Sequence, residues 1–81
     1  MNETNKQCAY QLLMYLDKGS KITISNSKIP RVLNLYPYEA IKSILTTFVH
    51  YKFVLESFST NEASTYYLTK RGNQLINKLN R

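Results

Sequence analysis

The sequence predicts an α+β fold in the order helix, short strand, helix, helix, two-stranded hairpin, helix. Three observations carry this. Apolar residues recur at helical spacing in the first stretch, in the middle and at the end of the chain. Lys21-Ile22-Thr23-Ile24-Ser25 alternates polar with apolar and is rich in β-branched residues. Two runs of strand formers flank a polar stretch at 59–64, as in a hairpin. The chain has 81 residues, enough for one domain (1–81) but a marginal one that gains from dimerising.

Asn5 to Lys18 reads as the first helix, with Cys8, Leu12, Tyr15 and Leu16 on one face and Ala9 and Leu13 widening it. Lys18-Gly19 ends it, Gly19 being suited to the left-handed conformation that follows many helices. Tyr10 and Met14 stand on the far side, either exposed or facing another subunit. After the short strand, Asn26 and Ser27 offer a cap for a second helix running to about Leu35. Pro30 falls in its first turn, and Ile29, Val32, Leu33 and Leu35 point inward.

Pro37 opens the most pronounced amphipathic stretch, Pro37 to His50. Ile41, Ile44, Leu45 and Phe48 share one face; Glu39, Lys42, Ser43, Thr46 and His50 share the other. That polar face is unusual, with short hydroxyls, one lysine and one histidine in place of a dense lattice of charges. Phe53 to Phe58 and Thr65 to Leu68 are the hairpin strands. Thr69 caps a last helix whose apolar stripe is Leu75, Ile76 and Leu79.

Lysine and arginine total 11 against 5 acidic residues, a net charge of +6. Such an excess on a small domain points to a polyanion, nucleic acid or an anionic membrane surface. No apolar run approaches a membrane span, and the N-terminus lacks the apolar segment of a signal peptide, so a cytoplasmic location is expected. Cys8, the single cysteine, excludes an internal disulfide and a cysteine-based zinc site. It reads either as a buried small hydrophobe or as a partner for Cys8 of a second subunit. His50 is the sole histidine, and no carboxylate pair, phosphate-binding glycine loop or metal spacing is present, so no enzyme activity, cofactor or metal is expected.

Two helices separated by a short turn and followed directly by a hairpin form the winged helix-turn-helix arrangement. Tyr67-Leu68-Thr69-Lys70-Arg71-Gly72-Asn73-Gln74-Leu75 resembles the Leu-Thr-x-x-Gly-x-x-Leu signature that follows the wing in winged-helix regulators of the MarR and PadR type. Leu12-Leu13 with Leu16, then Ile22-Thr23-Ile24, is similar to the opening of that domain, and Phe48 to Val54 to its helix-to-wing junction. Two departures stand out. Lys52 occupies the junction where the family often has glycine, and the wing segment Ser59 to Ser64 carries no basic residue. A composition rich in Tyr, Ile, Lys and Asn is similar to small regulators of crenarchaeal viruses and plasmids, a bias that AT-rich bacteria share. A viral source would place the protein in the host cytoplasm.

The resemblance implies a homodimeric transcription regulator that binds double-stranded DNA, with the helix at about 37–50 in the major groove. Tyr38, Lys42, Ser43, Thr46, Thr47 and His50 are then the candidates for base contact. Lys21, Lys28 and Arg31, with Lys70 and Arg71, are the candidates for phosphate contact. Cys8, Tyr10, Met14, Ile76 and Leu79 are the candidates for the dimer surface, or pack within one subunit. A small-molecule effector, typical of the family, finds little room in this chain. The alternative is a winged-helix protein-interaction module without specific DNA binding, which the unbasic wing favours.

Overall fold

The computed structural model describes residues 3–58 and 63–79. It is an α+β arrangement of three α-helices and a three-stranded antiparallel sheet. In chain order these are α1 (Glu3–Gly19), β1 (Lys21–Ile24), a 3₁₀ turn (Arg31–Leu33), α2 (Tyr38–His50), β2 (Val54–Phe58), β3 (Ser64–Leu68) and α3 (Lys70–Leu79). The sheet order is β1-β3-β2, so the last strand of the hairpin lies in the centre and β1 completes the sheet. Lys21 pairs with Tyr67 and Ile24 with Ser64, while Val54 pairs with Leu68 and Phe58 with Ser64.

Period-two alternation gives the sheet two unlike faces. Ile22, Ile24, Val54 and Tyr66 are buried on the inner face, where α1 and α2 cover them. Leu55 and Tyr67, paired across β2 and β3, remain exposed on the outer face. Thr23 and Thr65, also paired, join hydroxyls there at 2.8 Å. The inner residues merge with Cys8, Leu12, Leu13 and Leu16 of α1, Ile41, Ile44, Leu45 and Phe48 of α2, and Ile76 of α3 in one core.

The second helix expected at 27–35 does not form. Ser25 and Lys28 instead close a tight turn through reciprocal backbone hydrogen bonds of 2.9 and 3.1 Å. Pro30 then restricts Ile29 to extended backbone, and Pro37 restricts Tyr36. Too few residues remain between the prolines to nucleate an α-helix. The Pro30 carbonyl accepts the Leu33 N–H at 2.9 Å and one 3₁₀ turn results. Its inward face is also narrower than expected: Leu33 is fully buried, but Val32 is exposed and Leu35 is 91% exposed.

Helix ends depart from expectation by one or two residues, α1 beginning at Glu3 where Asn5 was expected. Pro37 is the N-cap of α2, not its first helical residue. Gly19 closes α1 in helical conformation, and Ser20 takes the left-handed backbone instead, at φ 64°. Its N–H reaches the Leu16 carbonyl at 2.7 Å, and its own carbonyl accepts the Leu68 N–H at 2.8 Å.

At the end of α2, Lys52 adopts φ 64° at the position where a glycine is usual in the resembled family. The Lys52 N–H bonds the Val49 carbonyl at 3.0 Å and the Phe53 N–H bonds the Phe48 carbonyl at 2.8 Å. This is a Schellman stop, and the Phe48 and Phe53 rings meet edge-on at 6.2 Å, the hydrophobic contact that accompanies the motif. Thr69 locks the same place from the other side. Its hydroxyl donates toward the Lys52 and Phe53 carbonyls at 2.7 and 3.0 Å and accepts the Gly72 N–H at 3.0 Å, capping α3.

Gly72 lies so close to the junction that a Cβ there would collide with the Phe53 carbonyl oxygen and the Leu68 side chain. Gly72→Ala is therefore expected to destabilise the fold by at least about 2 kcal/mol. Lys52→Gly relieves left-handed strain at the cost of chain entropy and is expected to stabilise it by about 0.5–1 kcal/mol. Urea unfolding midpoints check both, and opposite signs for the two glycine positions are the expected result.

Candidate nucleic-acid interface

Helix α2 buries Ile41, Ile44, Leu45 and Phe48 and thereby turns a defined stripe outward. At 3.6 residues per turn, Glu39, Ser43, Thr46 and His50 lie directly opposite the buried face, and all are exposed. Thr47, exposed, flanks this stripe on one side; Lys42, half-buried, flanks it on the other. Tyr38, at the start of the helix, is half-buried and packs against the core.

The flanking lysine is engaged within the molecule. Lys42 Nζ donates to the Tyr66 hydroxyl at 2.6 Å and to Glu56 Oε2 at 3.1 Å, and the Tyr66 hydroxyl donates to the same Glu56 oxygen at 2.7 Å. The ammonium also lies 5.3 Å from the centre of the Tyr66 ring. Glu56 sits on the inner face of an edge strand, directly opposite Tyr66 in the hairpin register, so its carboxylate needs partners. Lys42 supplies the charge and thereby ties α2 to the hairpin. The lysine expected at a DNA base is thus a bridge between α2 and the sheet.

These contacts set the local electrostatics. The Tyr66 hydroxyl, then Lys42, hold the Glu56 carboxyl below the usual carboxylate range. The hydrogen bond to Tyr66, reinforced by Glu56, raises Lys42. Burial raises Tyr66, with Glu56 adding to the effect and Lys42 opposing it.

The threonines carry a second internal commitment. Thr46 Oγ1 donates to the Lys42 carbonyl at 2.9 Å and Thr47 Oγ1 to the Ser43 carbonyl at 3.1 Å. Both are the i to i−4 back-bonds that hydroxyl residues make within helices.

At the C-terminal end of α2, His50 meets Tyr51 edge-on at 5.1 Å, Tyr51 stacks on Phe53 at 6.0 Å, and the Arg71 guanidinium lies 5.7 Å from the Phe53 ring centre. Arg71, beside this aromatic cluster, and Lys70 are both exposed at the start of α3. Lys21, Lys28 and Arg31 are also exposed. Lys21 and Lys28 line one groove with Tyr15, Thr23 and Pro30. Ser59, Thr60 and Asn61 of the wing segment lie outside the described residues.

The expected dimer residues divide. Cys8 is fully buried and Ile76 is 2% exposed, both in the core of a single chain, so neither forms a subunit surface. Helical spacing placed them on apolar faces, and those faces pack inward. Burial also raises the Cys8 thiol, which disfavours the thiolate needed for a disulfide to a second subunit. Tyr10 and Leu79 are exposed and Met14 is half-buried, so these three remain at the surface. Tyr10 lines a groove with Lys6, Gln7, Gln11 and Tyr36, and Met14 lines another with Val32 and Lys21.

Comparison of the sequence with protein-family models gives no match, and comparison with curated proteins gives none. Among the described residues no cluster of His, Cys, Asp and Glu could hold a metal ion. No described helix is long and apolar enough to cross a membrane.

Sequence reasoning missed Glu56 and Tyr66 as partners of Lys42. The signal was the hairpin register, which sets those two residues opposite each other and on the inward face. Because Glu56 ionises more readily in the folded chain, its contribution to stability is complete above its ordinary value of 4.5 and is lost as pH falls through the lower folded value. Lys42 is raised, so its contribution is complete below 10.5 and is lost as pH rises through the higher folded value. Glu56→Gln is expected to lower stability by roughly 0.5–1 kcal/mol near neutral pH. That deficit should vanish in acid, where the parent carboxylate is protonated too. Denaturant unfolding of both proteins in parallel across the acid range measures it.

Proposed function

We propose that this chain is a winged-helix regulator of transcription that binds double-stranded DNA as a homodimer, with α2 in the major groove. The observation that carries the reading is the exposed face of α2. Glu39, Ser43, Thr46 and His50 are held outward by four buried residues on the opposite side, on a chain of net charge +6. A helix so presented, with hydroxyls in place of a charge lattice, suits base edges. The helix, hairpin and last helix in succession and the Thr69–Gly72 lock at the helix-to-hairpin junction support this reading, in which a single 3₁₀ turn (Arg31–Leu33) stands in place of the helix expected before α2.

In this reading Ser43, Thr46, Thr47 and His50 face the bases, and Tyr38 lies at the entry of the helix. Lys42 sets the angle between α2 and the hairpin through Glu56 and Tyr66. Lys21, Lys28 and Arg31, with Lys70 and Arg71, neutralise phosphates on the flanks. A two-fold dimer through the surface that includes Tyr10, Met14 and Leu79 would bring two α2 helices to half-sites about one duplex turn apart.

A second reading, a protein-interaction module, is favoured by the apolar groups left outside. Leu55 and Tyr67 adjoin on the outer sheet face and Leu35 is almost fully exposed. Salt separates the two. Duplex affinity is expected to fall steeply with salt, and Lys28→Ala with Arg31→Ala should weaken all sequences alike and reduce the logarithmic salt slope by about 2. Ser43→Ala with Thr46→Ala should instead narrow the preference among sequences, by about 1 kcal/mol or more. Fluorescence anisotropy with labelled duplexes over a salt series checks each. Absence of duplex binding at low salt would overturn the proposal in favour of the interaction module.

A further inference from the structure

We infer that the α2 face reads thymine methyl groups, so that the preferred duplex places thymine against Thr46; this rests on the DNA-binding reading above. Ser43 and His50 carry hydrogen-bond donors on that face, whereas Lys42 and both threonines use theirs within the molecule. Lys42, the one ammonium on the helix, is already bonded to Tyr66 and Glu56. A threonine hydroxyl carries a single proton. Thr46 gives its proton to the Lys42 carbonyl, and Thr47 gives its own to the Ser43 carbonyl.

Neither threonine therefore has a proton left for guanine O6 and N7, adenine N7 or thymine O4, the acceptors of the major groove. The unengaged part of each exposed side chain is its methyl branch, and the apolar feature of the major groove is the thymine C5-methyl. The hydroxyl oxygen keeps its capacity to accept, so an amino group of adenine or cytosine is the competing partner. Thr46 stands in the middle of the outward stripe, between Ser43 and His50, and is the residue on which the two possibilities differ most.

Substitutions on both sides of the contact separate them. Thr46→Val keeps a methyl branch and removes the oxygen; Thr46→Ser keeps the oxygen and removes the methyl. The probes are the tightest duplex selected from a random pool and the same duplex with single thymines replaced by deoxyuridine, which lacks only the methyl. Affinity is measured by anisotropy, and thermal melting shows that each variant is folded.

The expected result is that Thr46→Val binds within about twofold of the parent. Thr46→Ser should lose about fourfold, the value of one buried methyl-sized group. Deoxyuridine at the contacted position should cost the parent about as much, and should cost Thr46→Ser almost nothing further. Sequence-selective binding that ignores deoxyuridine, or a Thr46→Val loss larger than that of Thr46→Ser, overturns the methyl reading alone. Absence of salt-dependent duplex binding overturns the DNA-binding reading, and this inference with it.

Discussion

One carbonyl oxygen, that of Phe53, holds four elements at a single point. It accepts the Thr69 N–H at 3.1 Å and lies 3.0 Å from the Thr69 hydroxyl, while Gly72 presses against it. The oxygen belongs to the turn between α2 and β2; its partners belong to the link between β3 and α3. The end of the central helix, both strands of the hairpin and the start of the last helix therefore meet there. Glycine at 72 permits the approach because it has no Cβ, and Thr69 meets the polar demand of the helix start. Left-handed Lys52 turns the chain sharply enough for Phe53 to arrive in place. A residue type that is normally unfavourable at positive φ is tolerated because the Schellman hydrogen bonds and the Phe48–Phe53 contact hold it on either side.

The consequence for the proposed interface is orientation. The junction fixes where α2 stops, and the Lys42–Glu56–Tyr66 cluster ties its middle to the sheet. Between those two ties the outward stripe of α2 has little freedom to roll. Polar groups that would otherwise be free to search for a partner are committed to holding the helix. In the proposed DNA-binding reading, base recognition on such a surface depends on the shape and methyl groups of its side chains as much as on their donors.

The 3₁₀ turn before α2 has a related effect. Where a full helix would carry Lys28 and Arg31 on one rigid cylinder, a tight turn and a short 3₁₀ segment present them on separate pieces of backbone. Leu35 is left exposed, since no second helical turn exists to bring it back to the core. The positive flank is thus built from individual side chains on a short connection. That suits contacts to phosphates, which are spaced along the duplex and carry no sequence information.

Local patterns by themselves determined most of the architecture. The inward faces of α1 and α2, the alternating strand at Ile22 and Ile24, and the Thr69 cap followed by Gly72 follow from spacing and residue type, because helical and strand periods and capping chemistry act over a few residues. The proposed base-facing residues Ser43, Thr46 and His50 were legible for the same reason, as the side opposite four apolar residues. The rest depended on tertiary structure. Apolar spacing between Ser27 and Leu35 resembled a helix, yet two prolines and the Ser25–Lys28 turn outweighed it. Cys8 and Ile76 carried no mark that distinguishes a core face from a subunit face; only the closure of one core around them decides that. Lys42 reads as a free cation until the hairpin register brings Glu56 and Tyr66 beside it. Those partners lie 14 and 24 residues away along the chain. Sequence spacing along a helix says which way a side chain points, and only the packing of the sheet against that helix says what it meets.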